Sequence, residues 1–147
     1  MYTYLDRPVT ALDNSERFLL WAMRAWSHCR ARRMCPPRTL RPAFVTMEVE
    51  AALIPFHKAM AAFARAGCVK VGPLPDRMIG DDEALLLALF RDSTGAGEGR
   101  VSALLGRLLA DPSAPSVLTY LRDAARCLAE AGHDFAAPHD LAAERGA

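Results

Sequence analysis

Net charge, cysteine and long apolar runs are all scarce in this chain of 147 residues. The formal charge of +1 excludes, on composition alone, a protein whose whole surface attracts polyanions. Four scattered cysteines are too few for a disulfide-stapled secreted scaffold. Charged residues or histidine interrupt each apolar run before the roughly 18 residues that a membrane-spanning helix needs. The first residues lack the apolar stretch of a signal peptide, so we expect a cytoplasmic protein with no membrane partner.

Lysine is rare as well, because Lys58 and Lys70 are the only lysines among 18 basic residues. Residues 1–42 hold eight arginines and three acidic residues, a net charge of +5, while the remainder of the chain carries −4. Arginine-rich, alanine-rich composition is typical of a GC-rich genome, but an arginine surface also suits phosphate or carboxylate partners. The separation of charge makes self-association between opposite patches physically reasonable.

The abundant residues indicate one folded domain over residues 1–147, since 52% of them are apolar and 24% are charged. Helix-type spacing and the positions of proline and glycine predict about five helices. They are expected at 13–35, at 42–66 with a kink or break at Pro55, from Gly80 or Asp81 to about residue 91, from about 100 to 111, and from 113–116 to 132. Residues 1–12 and 133–147 are expected to be terminal arms. The predicted fold class is all-α, an irregular or orthogonal bundle.

Two helices carry the clearest patterns. In the first, Asp13 and Glu16 have the spacing of a capping box. One face of this helix is apolar, and the opposite face carries Arg17, Arg24, His28 and Arg32. Trp21 falls between these faces and is expected to be partly exposed. In the third helix, residues 84–90 are apolar on nearly every side, which predicts a position at the centre of the bundle.

The sequence offers little chemistry. The cysteines and histidines lack the close ligand pairs of a zinc site, and His28 and Cys29 diverge by about 100° on a helix. The segment Gly95–Gly99 follows a helix rather than a strand, so a flexible linker is favoured over a phosphate-binding loop. We therefore predict no catalytic residue, no metal ligand and no cofactor, and an enzyme is disfavoured. A small-molecule or metal site within the bundle stays open as an alternative.

Two features point to binding instead. Five arginines, with no acidic residue between the first and the last, suit a polyanion, a nucleic acid or an acidic protein partner, although a solvated helix end is favoured; they are Arg30, Arg32, Arg33, Arg38 and Arg41. The aromatic residues exceed what one helix stripe needs, and Trp21 and Phe56 are candidates for a subunit interface. The leading hypothesis is a non-enzymatic protein–protein interaction domain that forms a homo-oligomer or binds a protein partner.

Two stretches carry a resemblance to known proteins. Glu16–Trp26 (ERFLLWAMRAW) and Arg77–Phe90 (RMIGDDEALLLALF), together with Pro55, resemble a group of small uncharacterised bacterial all-helical proteins of unknown function. The resemblance implies a compact helical domain and carries over no functional residue.

Overall fold

The computed structural model describes Pro8 and residues 14–67, 69–109 and 113–132, apart from the side chains of Ala96 and Ser113. These residues form six α-helices and no strand, which confirms the all-α fold class. The helices are α1 (Asn14–Ala31), α2 (Pro36–Thr46), α3 (Leu53–Ala66), α4 (Asp81–Asp92), α5 (Glu98–Leu108) and α6 (Ser113–Glu130). Short 3-10 turns precede α3 and α5, at Glu50–Ala52 and Gly95–Gly97. The expected cap at Asp13 and both terminal arms, apart from Pro8, lie outside the described residues.

The interruption of the predicted second helix lies ahead of Pro55. α2 ends at Thr46, and α3 begins at Leu53, so Pro55 lies in the first turn of α3. A proline there is well tolerated, because the first N–H groups of a helix have no intrahelical acceptor. Pro36 and Pro37, which sequence analysis placed after the first helix, are the first residues of α2 for the same reason.

α4 occupies the centre of the bundle, as its sequence predicts. Every residue from Leu86 to Phe90 is buried, and the helix contacts α1, α5 and α6. The most extensive contact between two helices joins α3 and α6. Within the described ranges no helix is both long enough and apolar enough to cross a membrane.

A chain of aromatic rings runs from the surface into this core. Phe18 lies 6.0 Å from Trp21 and 5.0 Å from Phe44, measured between ring centroids. Phe44 is 5.7 Å from Phe56, which stacks on Phe90 at 5.9 Å. The rings come from α1, α2, α3 and α4, so one end of the chain is exposed on α1 and the other is buried in α4.

Candidate interaction surface

The two residues predicted for an interface lie in different environments. Trp21 is 40% exposed on α1, as its position between the helix faces predicts. Phe56 is 1% exposed and lies in the middle of the aromatic chain, between Phe44 and Phe90. A partner protein has no access to Phe56 in this fold, so its role is corrected to core packing.

Apolar side chains surround Trp21 on both sides. A groove of about 390 Å³ between α1 and α2 is lined by Phe18, Trp21, Pro42 and Met47 among others. A second groove, of about 370 Å³, has Phe18 and Trp21 on one side and Leu74 on the other, and charged side chains, among them Asp76, also line it. We call the face formed by these five apolar residues the Trp21 surface. Trp21 and Leu74 are each 40% exposed.

Leu74 is held beside α1 by a buried ion pair that sequence analysis missed. Arg24 and Glu83 are 3% and 1% exposed, and two hydrogen bonds of 2.7 and 2.9 Å join the guanidinium to the carboxylate. Arg24 also donates to the backbone carbonyls of Asp76 and Met78, at 2.7 and 2.8 Å. A bidentate pair with additional hydrogen bonds is the arrangement in which a buried ion pair is best satisfied.

Glu83 also holds the loop that carries Leu74, which comprises residues 72–80. Its carboxylate accepts hydrogen bonds from the backbone N–H groups of Gly72 and Gly80, at 3.0 and 2.9 Å. Burial opposes ionisation of Glu83, but the hydrogen bonds from Arg24, Gly80 and Gly72 outweigh it and leave the pKa below its ordinary value. The hydrogen bond from Arg24 to Glu83 likewise raises the pKa of Arg24. The charged pair therefore anchors residues 72–80 against α1 and fixes the position of Leu74.

The position of Arg24 corrects the predicted polar stripe of the first helix. Arg17 and His28 are exposed as expected, whereas Arg24 points into the molecule. Glu83 lies in the first turn of α4, where the helix dipole alone already favours an acidic residue. The residues of the pair are 59 positions apart, and the pattern of one helix carries no information about a charge on another.

The arginines of the predicted basic segment lie at the junction of α1 and α2. All five are exposed, and Arg33 adopts a left-handed conformation with φ of 58° in the turn between the helices. Arg30 lies over the ring of Trp26, with 5.6 Å from its guanidinium carbon to the ring centroid. Arg41 forms an exposed ion pair with Glu50 at 2.6 Å. Arg32, Arg33 and Arg38 form no ion pair within the described ranges.

Of the two histidines that the structure describes, His57 has a side-chain hydrogen-bond partner. Its Nδ1 atom accepts a hydrogen bond of 2.9 Å from the indole nitrogen of Trp26, which links α3 to α1. An imidazole that accepts at Nδ1 carries its proton on Nε2 and is neutral. Burial, and to a smaller degree the charge of Lys58, lowers the pKa of His57. This pair is a packing contact rather than an acid–base site.

The thiols are dispersed. Cys29 is buried, Cys35 is exposed and Cys127 is half-buried, while Cys68, His133 and His139 lie outside the described residues. Burial raises the pKa of the Cys127 thiol, which disfavours its reactive thiolate form. Across the part of the chain that the structure describes, no three His, Cys, Asp or Glu residues come together to hold a metal ion.

Comparison with known proteins finds no matching family model, no similar curated protein and no similar solved structure. The resemblance to small bacterial helical proteins therefore stays a prediction.

Proposed function

We propose that this protein is a helical protein–protein interaction domain whose contact surface is the Trp21 surface, with a second copy of the chain as its partner. The observation that carries the proposal is the exposed Trp21, which lies between two grooves whose linings include apolar side chains. Tryptophan is enriched among the residues that dominate binding at protein interfaces, especially where it sits next to pockets.

Contacts with the rest of the fold fix the position of the Trp21 surface. The ring of Phe18 packs against the buried ring of Phe44, and the Arg24–Glu83 pair holds the loop that carries Leu74. A preorganised surface loses less conformational entropy on binding than a flexible one. Self-association would also bury Trp21 and Leu74, which are otherwise exposed to water.

The experiment is sedimentation velocity over a range of protein concentrations, with Trp21→Ser as the test variant. Ile54→Ser is the matched control, because Ile54 is 45% exposed and lines neither groove. We expect the wild-type protein and Ile54→Ser to associate with similar dissociation constants. For Trp21→Ser we expect a dissociation constant at least about tenfold higher, as for a tryptophan hot spot. A wild-type protein that stays monomeric at high concentration would contradict self-association.

A second candidate function is binding of a polyanion or nucleic acid by the basic segment. It is favoured by the exposure of Arg32, Arg33 and Arg38 at one junction, with no ion-pair partner among the described residues. Guanidinium groups that bind phosphates release counterions, so such binding weakens steeply as salt increases. We expect duplex DNA to bind at low salt. We expect Arg32→Ser/Arg33→Ser to make the affinity for DNA depend less steeply on salt concentration. Absence of DNA binding at low salt would remove this candidate.

A further inference from the structure

A separate groove lies between α4 and α5, away from the residues of the Trp21 surface. Its volume is about 280 Å³, and it is lined by Leu85 and Leu89 of α4 and by Val101 and Leu104 of α5. Leu85 and Leu104 are half-buried, so both present apolar surface in the groove. We call this feature the α4–α5 groove.

One rim of the α4–α5 groove is positively charged. Arg100 and Arg107 line it from α5, and both are exposed. Neither arginine has an ion-pair or hydrogen-bond partner within the described ranges. Their charges are therefore available to a binding partner.

Two acidic residues of the described chain, Asp92 and Glu98, are paired with other arginines. Asp92, which also lines the groove, forms an ion pair with Arg91 at 3.1 Å. Glu98, at the start of α5, is hydrogen-bonded and ion-paired to Arg122 of α6. The groove thus combines an apolar floor with a net positive rim.

The spacing of the two arginines fits a second helix. They are seven positions apart on α5, which corresponds to about two turns and about 10 Å along one edge of the helix. On the α4 side the accessible apolar surface comes from Leu85, because Leu89 is only 2% exposed. An amphipathic helix lying along the groove would place apolar side chains against Leu85 and Leu104 and carboxylates beside the arginines.

We infer that the α4–α5 groove is a docking site for an acidic amphipathic helix of a partner protein. Burial of the half-exposed Leu85 and Leu104 gives affinity, and Arg100 and Arg107 select carboxylates on the facing edge of the partner helix. The inference is independent of the Trp21 surface, since the two surfaces share no lining residue.

The test uses two fluorescein-labelled peptides of four helical turns, about 14 residues each. Both carry leucines on one face; one has glutamates seven positions apart on the flanking edge, and the other has lysines at the same positions. Fluorescence anisotropy measures the affinity of each peptide for the full chain. We expect the glutamate peptide to bind at least about tenfold more tightly than the lysine peptide.

A charge reversal distinguishes recognition from loss of folding. Arg100→Glu/Arg107→Glu is expected to bind the glutamate peptide at least about tenfold more weakly than the wild type does. The same variant is expected to bind the lysine peptide more tightly than the wild type does. Arg126→Glu, on the exposed side of α6 and outside the groove, is the control and should leave both affinities unchanged. Binding of neither peptide at about 100 µM, or equal binding of both, would overturn the proposal. Binding of decanoate without the glutamate peptide would overturn it as well, and would assign the groove to a small amphipathic anion.

Discussion

Arg24 and Glu83 are the residues on which the shape of the Trp21 surface depends most. Their side chains are nearly inaccessible to water, and their hydrogen bonds reach the backbone of residues 72, 76, 78 and 80. Removing one partner leaves the other as an uncompensated buried charge, whereas replacing both by apolar groups avoids that cost.

The first prediction follows from this asymmetry. We expect Arg24→Met or Glu83→Leu alone to lower the free energy of unfolding by about 3–5 kcal/mol, and the double variant to recover much of the loss. Arg41→Met, which breaks the exposed pair with Glu50, should cost no more than about 1 kcal/mol. Urea unfolding at neutral pH measures all four variants. A loss below that of Arg41→Met for either single variant would show that the buried pair does not hold the loop.

His57 gives a prediction about pH. Its pKa is lowered in the folded protein, so at a pH below the ordinary value of about 6.5 the unfolded chain takes up a proton more readily than the native one. The stabilisation by neutral His57 is therefore complete at a pH above that value, and is lost as the pH falls through the native pKa. Protonation also removes the acceptor at Nδ1 for the Trp26 indole.

The measurement is urea unfolding at several pH values between about 5 and 8, the range in which histidine titrates. We expect stability to fall more steeply with acid in the wild type than in His57→Gln. His28→Gln is the control for replacing a histidine by glutamine, because His28 is exposed on α1. Parallel curves for the wild type and His57→Gln would contradict the role assigned to His57.

At the scale of elements, two helices end without the residue that usually marks a helix end. α1 is closed by hydrogen bonds from Arg33 N–H to Arg30 and from Met34 N–H to Cys29, and α2 by bonds from Glu48 to Val45 and from Val49 to Phe44. Both are Schellman motifs, in which one residue adopts a left-handed conformation. That residue is normally glycine, but here Arg33 and Glu48 have φ of 58° and 61°.

Helix ends that glycine marks can be predicted from the sequence, and helix ends of this kind cannot. The core position of Leu86–Phe90 follows from local periodicity, and Gly67 correctly marks the end of α3. The end of α2 at Thr46 was missed because no glycine or asparagine follows it, and Pro55 was the visible breaker nearby. The Trp21 surface was predicted at Trp21 alone, because Leu74 is brought to it by the long-range Arg24–Glu83 pair.

Glu48 and Gly67 provide a matched pair of variants for the third prediction. Glu48→Gly removes the steric cost of a left-handed non-glycine residue and should stabilise the protein by about 1 kcal/mol. Gly67→Ala imposes the same kind of cost where φ is 67° and should destabilise it by about 1 kcal/mol, although no atom within 4 Å would clash with the added methyl group. Thermal unfolding followed by circular dichroism measures both. Glu48→Ala keeps the steric cost and serves as the control. If Glu48→Ala stabilises the protein as much as Glu48→Gly does, the gain does not come from relief of the left-handed backbone conformation at residue 48.

For the whole molecule, one buried apolar cluster includes residues from every helix. Leu20 of α1, Leu40 of α2, Phe56 of α3, Leu105 of α5 and Leu121 of α6 belong to it, together with the apolar residues of α4. A shared core of this kind leaves no helix with a hydrophobic cluster of its own, so loss of one helix exposes apolar surface on its neighbours.

The last prediction is that the six helices unfold in one cooperative transition. Trp21 and Trp26, the two tryptophans of the chain, both lie on α1 and report on that helix by fluorescence, whereas circular dichroism reports on all six helices. Coincident midpoints in urea are expected, because single domains with one core usually unfold in an all-or-none manner. Phe90→Leu, far from both tryptophans in sequence, should lower both midpoints equally, with a loss of about 1 kcal/mol in the free energy of unfolding. A shift confined to circular dichroism would show that α1 and the Trp21 surface persist without the central helix, and that the aromatic chain does not couple the surface to the core.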